Sequence, residues 1–138
     1  MITHTEISVT PLGNRYYRVN RKILINYKQY LWTIQTGFIT NFRSGPHVDR
    51  FLDQIGTDLI QCCYLVHDVN YTPGTNGYYF TRPQADALLK EMLIDAGMSR
   101  PKANIVWASV RLFGEHAYRD DDEYTTNNHT KFKIEKIK

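Results

Sequence analysis

Three side chains in this sequence could do acid–base chemistry together. His67 and Asp68 lie in the most apolar run, Cys62-Cys63-Tyr64-Leu65-Val66-His67-Asp68-Val69-Asn70-Tyr71, and Asp86 stands eighteen positions after Asp68. A carboxylate on one imidazole nitrogen leaves the other to act as base or ligand. His67 and Asp86 are therefore the candidate catalytic pair, with His67 as base and Asp86 as its orienter. Asp68 and Asn41 are the candidate holders of a divalent metal ion or a polarised water. The alternative is a buried polar cluster that only ties a loop to helices. Either way these groups need partners, since an unpaired polar group away from water costs about 1–3 kcal/mol.

Positioning them takes a particular pair of helices. Leu59, Ile60, Cys62, Cys63, Leu65, Val66 and Val69 leave little polar surface, so a helix here is buried on most sides, with Thr57 as its N-cap. His67 and Asp68 are adjacent and point about 100° apart on a helix. They can serve one place only if the helix ends there, which Asn70 and Pro73 permit. Cys63, His67 and Tyr71 share one face. Thr72 to Gly77 is turn-rich, and Thr81-Arg82-Pro83-Gln84 has the form of a capping box opening the next helix. An antiparallel pair joined by the 72–81 loop brings Asp86 to His67.

The helix opened at Thr81 carries Ala85, Leu88, Leu89, Met92 and Leu93 on one face and ends at Gly97. Ser99 and Pro101 start a third helix, which Gly114 ends or bends. Its Arg111 lies among apolar residues and either pairs with Asp68 or Asp86 or reaches to the surface. A short helix is expected from about Val48 to Ile55, and His47 either lines the cleft or is solvated. Residues 5–35 alternate β-branched and aromatic residues with short gaps, a pattern of three or four antiparallel strands with a turn at Pro11-Leu12-Gly13-Asn14. The expected fold is α+β: an N-terminal antiparallel meander (strands 5–35) packed on about three main helices within 47–119. Residues 1–119 form the domain, and 120–138 are a polar linker and a tail that could dock as an edge strand.

Bulk properties narrow the classes. With 138 residues, 42% hydrophobic and 22% charged, this reads as one domain with a real core. No run reaches the roughly 18 apolar residues of a membrane helix, and the N-terminus has no signal-peptide pattern. Cys62 and Cys63 are adjacent and read as core thiols. No acidic residue lies between Glu6 and Asp49, where Arg15, Arg18, Arg21, Lys22, Lys28 and Arg43 fall. With a net charge of only +3, nucleic-acid binding is expected to be at most weak, salt-sensitive and without sequence preference. His4, His116 and His129 have no partners at metal-ligand spacing, and no P-loop, dinucleotide-binding glycine pattern or Gly-x-Ser-x-Gly occurs.

Four stretches together resemble a bacteriophage and prophage domain family of uncharacterised function. They are Gly37-Phe38-Ile39-Thr40-Asn41-Phe42-Arg43-Ser44-Gly45-Pro46, Leu65-Val66-His67-Asp68-Val69-Asn70-Tyr71, Ala85-Asp86 and Val110-Arg111-Leu112-Phe113-Gly114. Asn41 departs from the pattern, which has Asp there, so a charge is missing. The resemblance implies a phage origin and no particular activity. It places the protein in host cytoplasm or virion. Cys62-Cys63, His67-Asp68 and Tyr71 are also similar to the His-Asp helix of secreted phospholipases A2, without that family's calcium loop or disulfides. That likeness implies His67 as base, Asp68 at calcium and Asp86 orienting the histidine. Two functions are therefore expected as alternatives. One is a small phage-encoded hydrolase-like protein acting on an unknown substrate. The other is a non-catalytic phage structural or host-interaction protein, with a homo-oligomer formed through Lys131 to Lys138.

Overall fold

The computed structural model describes residues 1–14, 16–41, 58–118 and 124–137, without the side chains of His116 and Ala117. Arg15, Arg43, His47, the helix expected near 48–55, the Thr57 cap and residues 119–123 fall outside them.

The α+β architecture stands, and its strands divide into two antiparallel sheets. β1 (Thr3–His4), β4 (Ile23–Tyr27), β5 (Tyr30–Ile34) and β7 (Phe132–Lys136) form one, in the order β1-β4-β5-β7. β2 (Val9–Gly13), β3 (Tyr16–Val19) and β6 (Ile39–Thr40) form the other, in the order β2-β3-β6. Alternation sets the faces: Ile23, Ile25 and Tyr27 of β4 and Trp32 and Ile34 of β5 point inward and are buried. The tail does dock as an edge strand, with Trp32 opposite Ile134 and Ile34 opposite Phe132.

Pro11 to Gly13, expected as a turn, belong to strand β2. Two features let a proline sit there. β2 is at a sheet edge, where a missing N–H breaks no inner ladder, and the register shifts between Pro11 and Gly13. The reversal itself falls on Gly13 and Asn14, both with positive φ.

The helices are α1 (Asp58–Asn70), α2 (Arg82–Asp95), α3 (Arg100–Phe113), α4 (Glu115–Tyr118) and α5 (Thr125–Asn128). α1 is central: Ile60, Cys62, Cys63, Tyr64, Leu65, Val66, His67, Val69 and Asn70 are all buried. At its end the Trp32 indole N–H donates to Asn70 Oδ1 at 2.8 Å, fixing the helix to the sheet. α2 packs against both α1 and α3. The capping box at its start is complete. Gln84 N–H donates to Thr81 Oγ1 at 3.3 Å, and Thr81 N–H donates to Gln84 Oε1 at 2.9 Å. Ser99 caps α3 by accepting from Lys102 N–H. Among the described residues no helix is long and apolar enough to cross a membrane.

Candidate functional site

The end of α1, the start of α2 and the end of α3 meet at Asp86. His67 Nε2 lies 2.8 Å from Asp86 Oδ1, and the Tyr71 hydroxyl donates to the same oxygen at 2.5 Å. Arg111 Nη1 donates to Asp86 Oδ2 at 2.8 Å. His67 and Asp86 are fully buried, while the Arg111 side chain is 31% exposed. The short 72–81 connection makes α1 and α2 antiparallel, and that places Asp86 opposite His67. The same carboxylate resolves the two readings of Arg111, which pairs inward.

These contacts fix protonation. Burial pulls the Asp86 carboxyl up, but hydrogen bonds from His67, Tyr71 and Arg111 outweigh it and hold Asp86 below the ordinary carboxylate range. Burial lowers His67 from its usual value near 6.5, and the nearby Asp86 only partly offsets this. The state at neutral pH is thus an anionic Asp86 and a neutral His67. An ionised carboxylate only accepts, so the Nε2 atom carries the imidazole proton and Nδ1 presents the lone pair. That is the tautomer a general base requires.

Two further residues support the pair. Tyr71 follows the last turn of α1, its ring 4.2 Å from that of His67. Arg82 Nε donates to the Tyr71 hydroxyl at 3.3 Å. Arg82 Nη2 also donates to the carbonyls of Val110 and Arg111 at 2.7 Å each, closing the C-terminal end of α3. Gly114 follows and is required by close approach: a Cβ there would lie 2.5 Å from the Val110 carbonyl oxygen and 2.9 Å from the Tyr71 hydroxyl oxygen. Sequence reasoning placed Tyr71 on the right face but gave it no role, and it passed over Arg82. The Val-Arg-x-Phe-Gly stretch was the available signal for Gly114.

Asp68 sits beside this network and is only half-buried. Its Oδ2 accepts from Thr40 Oγ1 at 2.5 Å and from the Asn41 backbone N–H at 3.3 Å. Asp68 and Asn41 are therefore brought together, through the Asn41 main chain. Among the described residues no three His, Cys, Asp or Glu side chains gather as a metal site.

Comparison with protein-family models matches residues 17–110 to the family described as protein of unknown function DUF1353. The chain belongs to that family. The matched DUF1353 region spans β3 through most of α3 and holds His67, Asp68 and Asp86. Tyr71 and Arg82 lie inside it, while Arg111 and Gly114 fall just beyond its end. No curated protein and no solved structure matches the chain.

Part of the cationic N-terminal stretch is engaged within the chain: Lys28 Nζ lies 5.7 Å from the centre of the Tyr27 ring. Tyr27 is buried in the core. Arg21 pairs with Glu6 at 3.0 Å and Lys28 with Glu91 at 2.7 Å.

Proposed function

We propose that this chain is a small hydrolase-like protein of phage origin in which His67 is the general base. Asp86 is its orienter, and Tyr71 and Arg111 hold Asp86 in place. The observation that carries this is the contact of His67 Nε2 with a carboxylate whose other oxygen is clamped by Arg111. In this reading the neutral His67 accepts a proton at Nδ1 from a hydroxyl or water. The resulting imidazolium is stabilised by the Asp86 charge. Asp68 and Asn41 are the place for a divalent ion or polarised water in this reading. The phage origin rests on the four motif stretches.

A second reading is favoured by a specific observation, the complete burial of both His67 and Asp86. Here the network serves only to join α1, α2 and α3. One experiment separates the two. The wild type, His67→Gln and Asp86→Asn are assayed against ester, phospholipid and peptidoglycan substrates, with folding checked by circular dichroism. The base reading expects hydrolysis by the wild type and its loss in a folded His67→Gln protein. A wild type inert on every substrate, or a His67→Gln protein of undiminished activity, gives the site to the structural reading.

A further inference from the structure

The C-terminal segment reaches toward the site through one side chain. β6 is an edge strand of the small sheet, with β3 on one side. On its other side Asn128, buried at the end of α5, stands where a further strand would pair. Ile39 N–H donates to Asn128 Oδ1 at 2.9 Å, and Asn128 Nδ2 donates to the Ile39 carbonyl at 2.8 Å. A side-chain amide carries the donor and acceptor of a peptide group, so Asn128 satisfies both main-chain groups of Ile39 at once. The register of the tail fixes where Asn128 stands. β7 pairs with β5, Gln35 N–H donates to the Lys131 carbonyl at 2.8 Å, and Lys131 N–H donates to the Asn128 carbonyl at 2.8 Å. Asn127 Nδ2 donates to the Gly37 carbonyl at 3.0 Å, and the Phe38 and Phe132 rings meet edge to face with centres 6.1 Å apart. The two residues after Ile39 are the ones that reach Asp68. The Thr40 hydroxyl and the Asn41 N–H both donate to Asp68 Oδ2.

From this placement we propose that Asn128 is a positioning residue for the Asp68 site. As the partner of β6 it sets Thr40 and Asn41 on the Asp68 carboxylate, so the C-terminal segment completes a site whose other parts lie between Ile39 and Asp68. Two observations favour this over a tail that only covers the core. β6 is two residues long and meets β3 only through the pairs Tyr17–Thr40 and Arg18–Ile39, so its second edge decides how firmly it is held. Phe132 and Ile134 already supply the apolar cover, whereas the buried Asn128 amide bonds the main chain beside Thr40. Groups one step behind a functional carboxylate act in this way, by fixing the orientation of what touches it. Thr40, Asn41 and Asp68 fall inside the matched DUF1353 region, and Asn128 lies beyond it. The consequence for hydrolysis rests on the proposed reading of Asp68; the placement of Thr40 and Asn41 does not.

The test is amide NMR of the intact chain. An N–H bonded to a carboxylate loses much of that bond when the carboxylate is protonated, so the Asn41 amide signal should move through an acid titration. Asp68→Asn should abolish the movement and so identify its source. In Asn128→Ala the movement should be lost as well, and hydrogen exchange at the Asn41 N–H should speed up at least about tenfold. Exchange at Ile25 in β4 and Val66 in α1 should stay unchanged. Should Asn128→Ala fail to fold, Asn128→Asp gives the same readouts, because its carboxylate repels the Ile39 carbonyl. An Asn41 signal that still follows Asp68 in a folded variant overturns the inference. So does an equal rise in exchange at Asn41, Ile25 and Val66, which assigns Asn128 to global stability alone. These readouts need no substrate, so a wild type inert on every ester, phospholipid and peptidoglycan removes the base reading and leaves this placement standing. Where the wild type hydrolyses one of them, folded Asn128→Ala should lose about 10–100-fold in kcat/KM, and an undiminished value overturns the positioning role.

Discussion

Replacing Asp86 with asparagine keeps the side-chain shape and removes the charge on which three helices converge. His67 and Tyr71 both bond Oδ1, and Arg111 bonds Oδ2. Asparagine has one accepting oxygen and one amide that donates. If the oxygen stays with His67 and Tyr71, the amide faces the Arg111 guanidinium, donor against donor. If it flips, the amide faces two donors from α1. A hydrogen bond to a charged group contributes about 1.5–3 kcal/mol, and removing one partner of a buried ion pair costs about 3–5 kcal/mol. The 31% exposure of Arg111 lets water recover part of that loss. The expected destabilisation is therefore near the lower end, about 3 kcal/mol. In urea, with a slope of about 2 kcal/mol per molar, the midpoint should fall by about 1.5 M. A double-mutant cycle with Arg111→Met isolates the pair. The two changes should couple by more than about 1 kcal/mol, because each removes what the other needs. A loss below about 1 kcal/mol for Asp86→Asn, or strictly additive changes, would refute the hub described here.

The other expectations rest on single features. Stability should fall on acidification from about pH 6.5, because unfolded His67 takes up a proton that the buried, lowered-pKa ring resists. Asp86 acts with the same sign: its depressed pKa contributes stability above the ordinary carboxylate range, lost as pH falls through the depressed value. His67→Gln should flatten the urea-midpoint profile just below pH 6.5, and an unchanged slope there would place the titration elsewhere. Gly114→Ala should cost about 1–3 kcal/mol, since a Cβ would meet the Val110 carbonyl oxygen at 2.5 Å and the Tyr71 hydroxyl at 2.9 Å. Thermal unfolding reads this, and a neutral result would mean that the end of α3 shifts freely as well as Tyr71. The buried Tyr64 hydroxyl has no hydrogen-bond partner among the described residues. Tyr64→Phe should therefore raise stability by about 1 kcal/mol or more in a urea melt, and a loss of that size would reveal a partner.

The parts of the fold written in local chemistry were legible in the sequence. The apolar run from Leu59 to Val69 demanded a buried helix, and Thr81 with Gln84 announced the next one. A short connection between them left one arrangement for His67 and Asp86. What stayed hidden depends on long-range geometry. Arg82 looks like an ordinary first-turn residue of α2, and only packing brings it to the carbonyls of Val110 and Arg111. The pairing of β1 with β4, rather than with β2, puts Thr3 opposite Asn26 across more than one turn, and no local pattern encodes it. Pro11 misled for a physical reason, since proline marks a turn in most contexts but is tolerated at a sheet edge.

The central claim is that His67 is a neutral imidazole whose proton Asp86 fixes on Nε2. Nitrogen NMR of the histidine rings, with His67→Gln to assign the signal, measures this directly across a pH titration. A protonated Nε2 and an unprotonated Nδ1 are expected at neutral pH, persisting below the usual histidine midpoint near 6.5. An imidazolium at neutral pH, or a proton on Nδ1 instead, would contradict it.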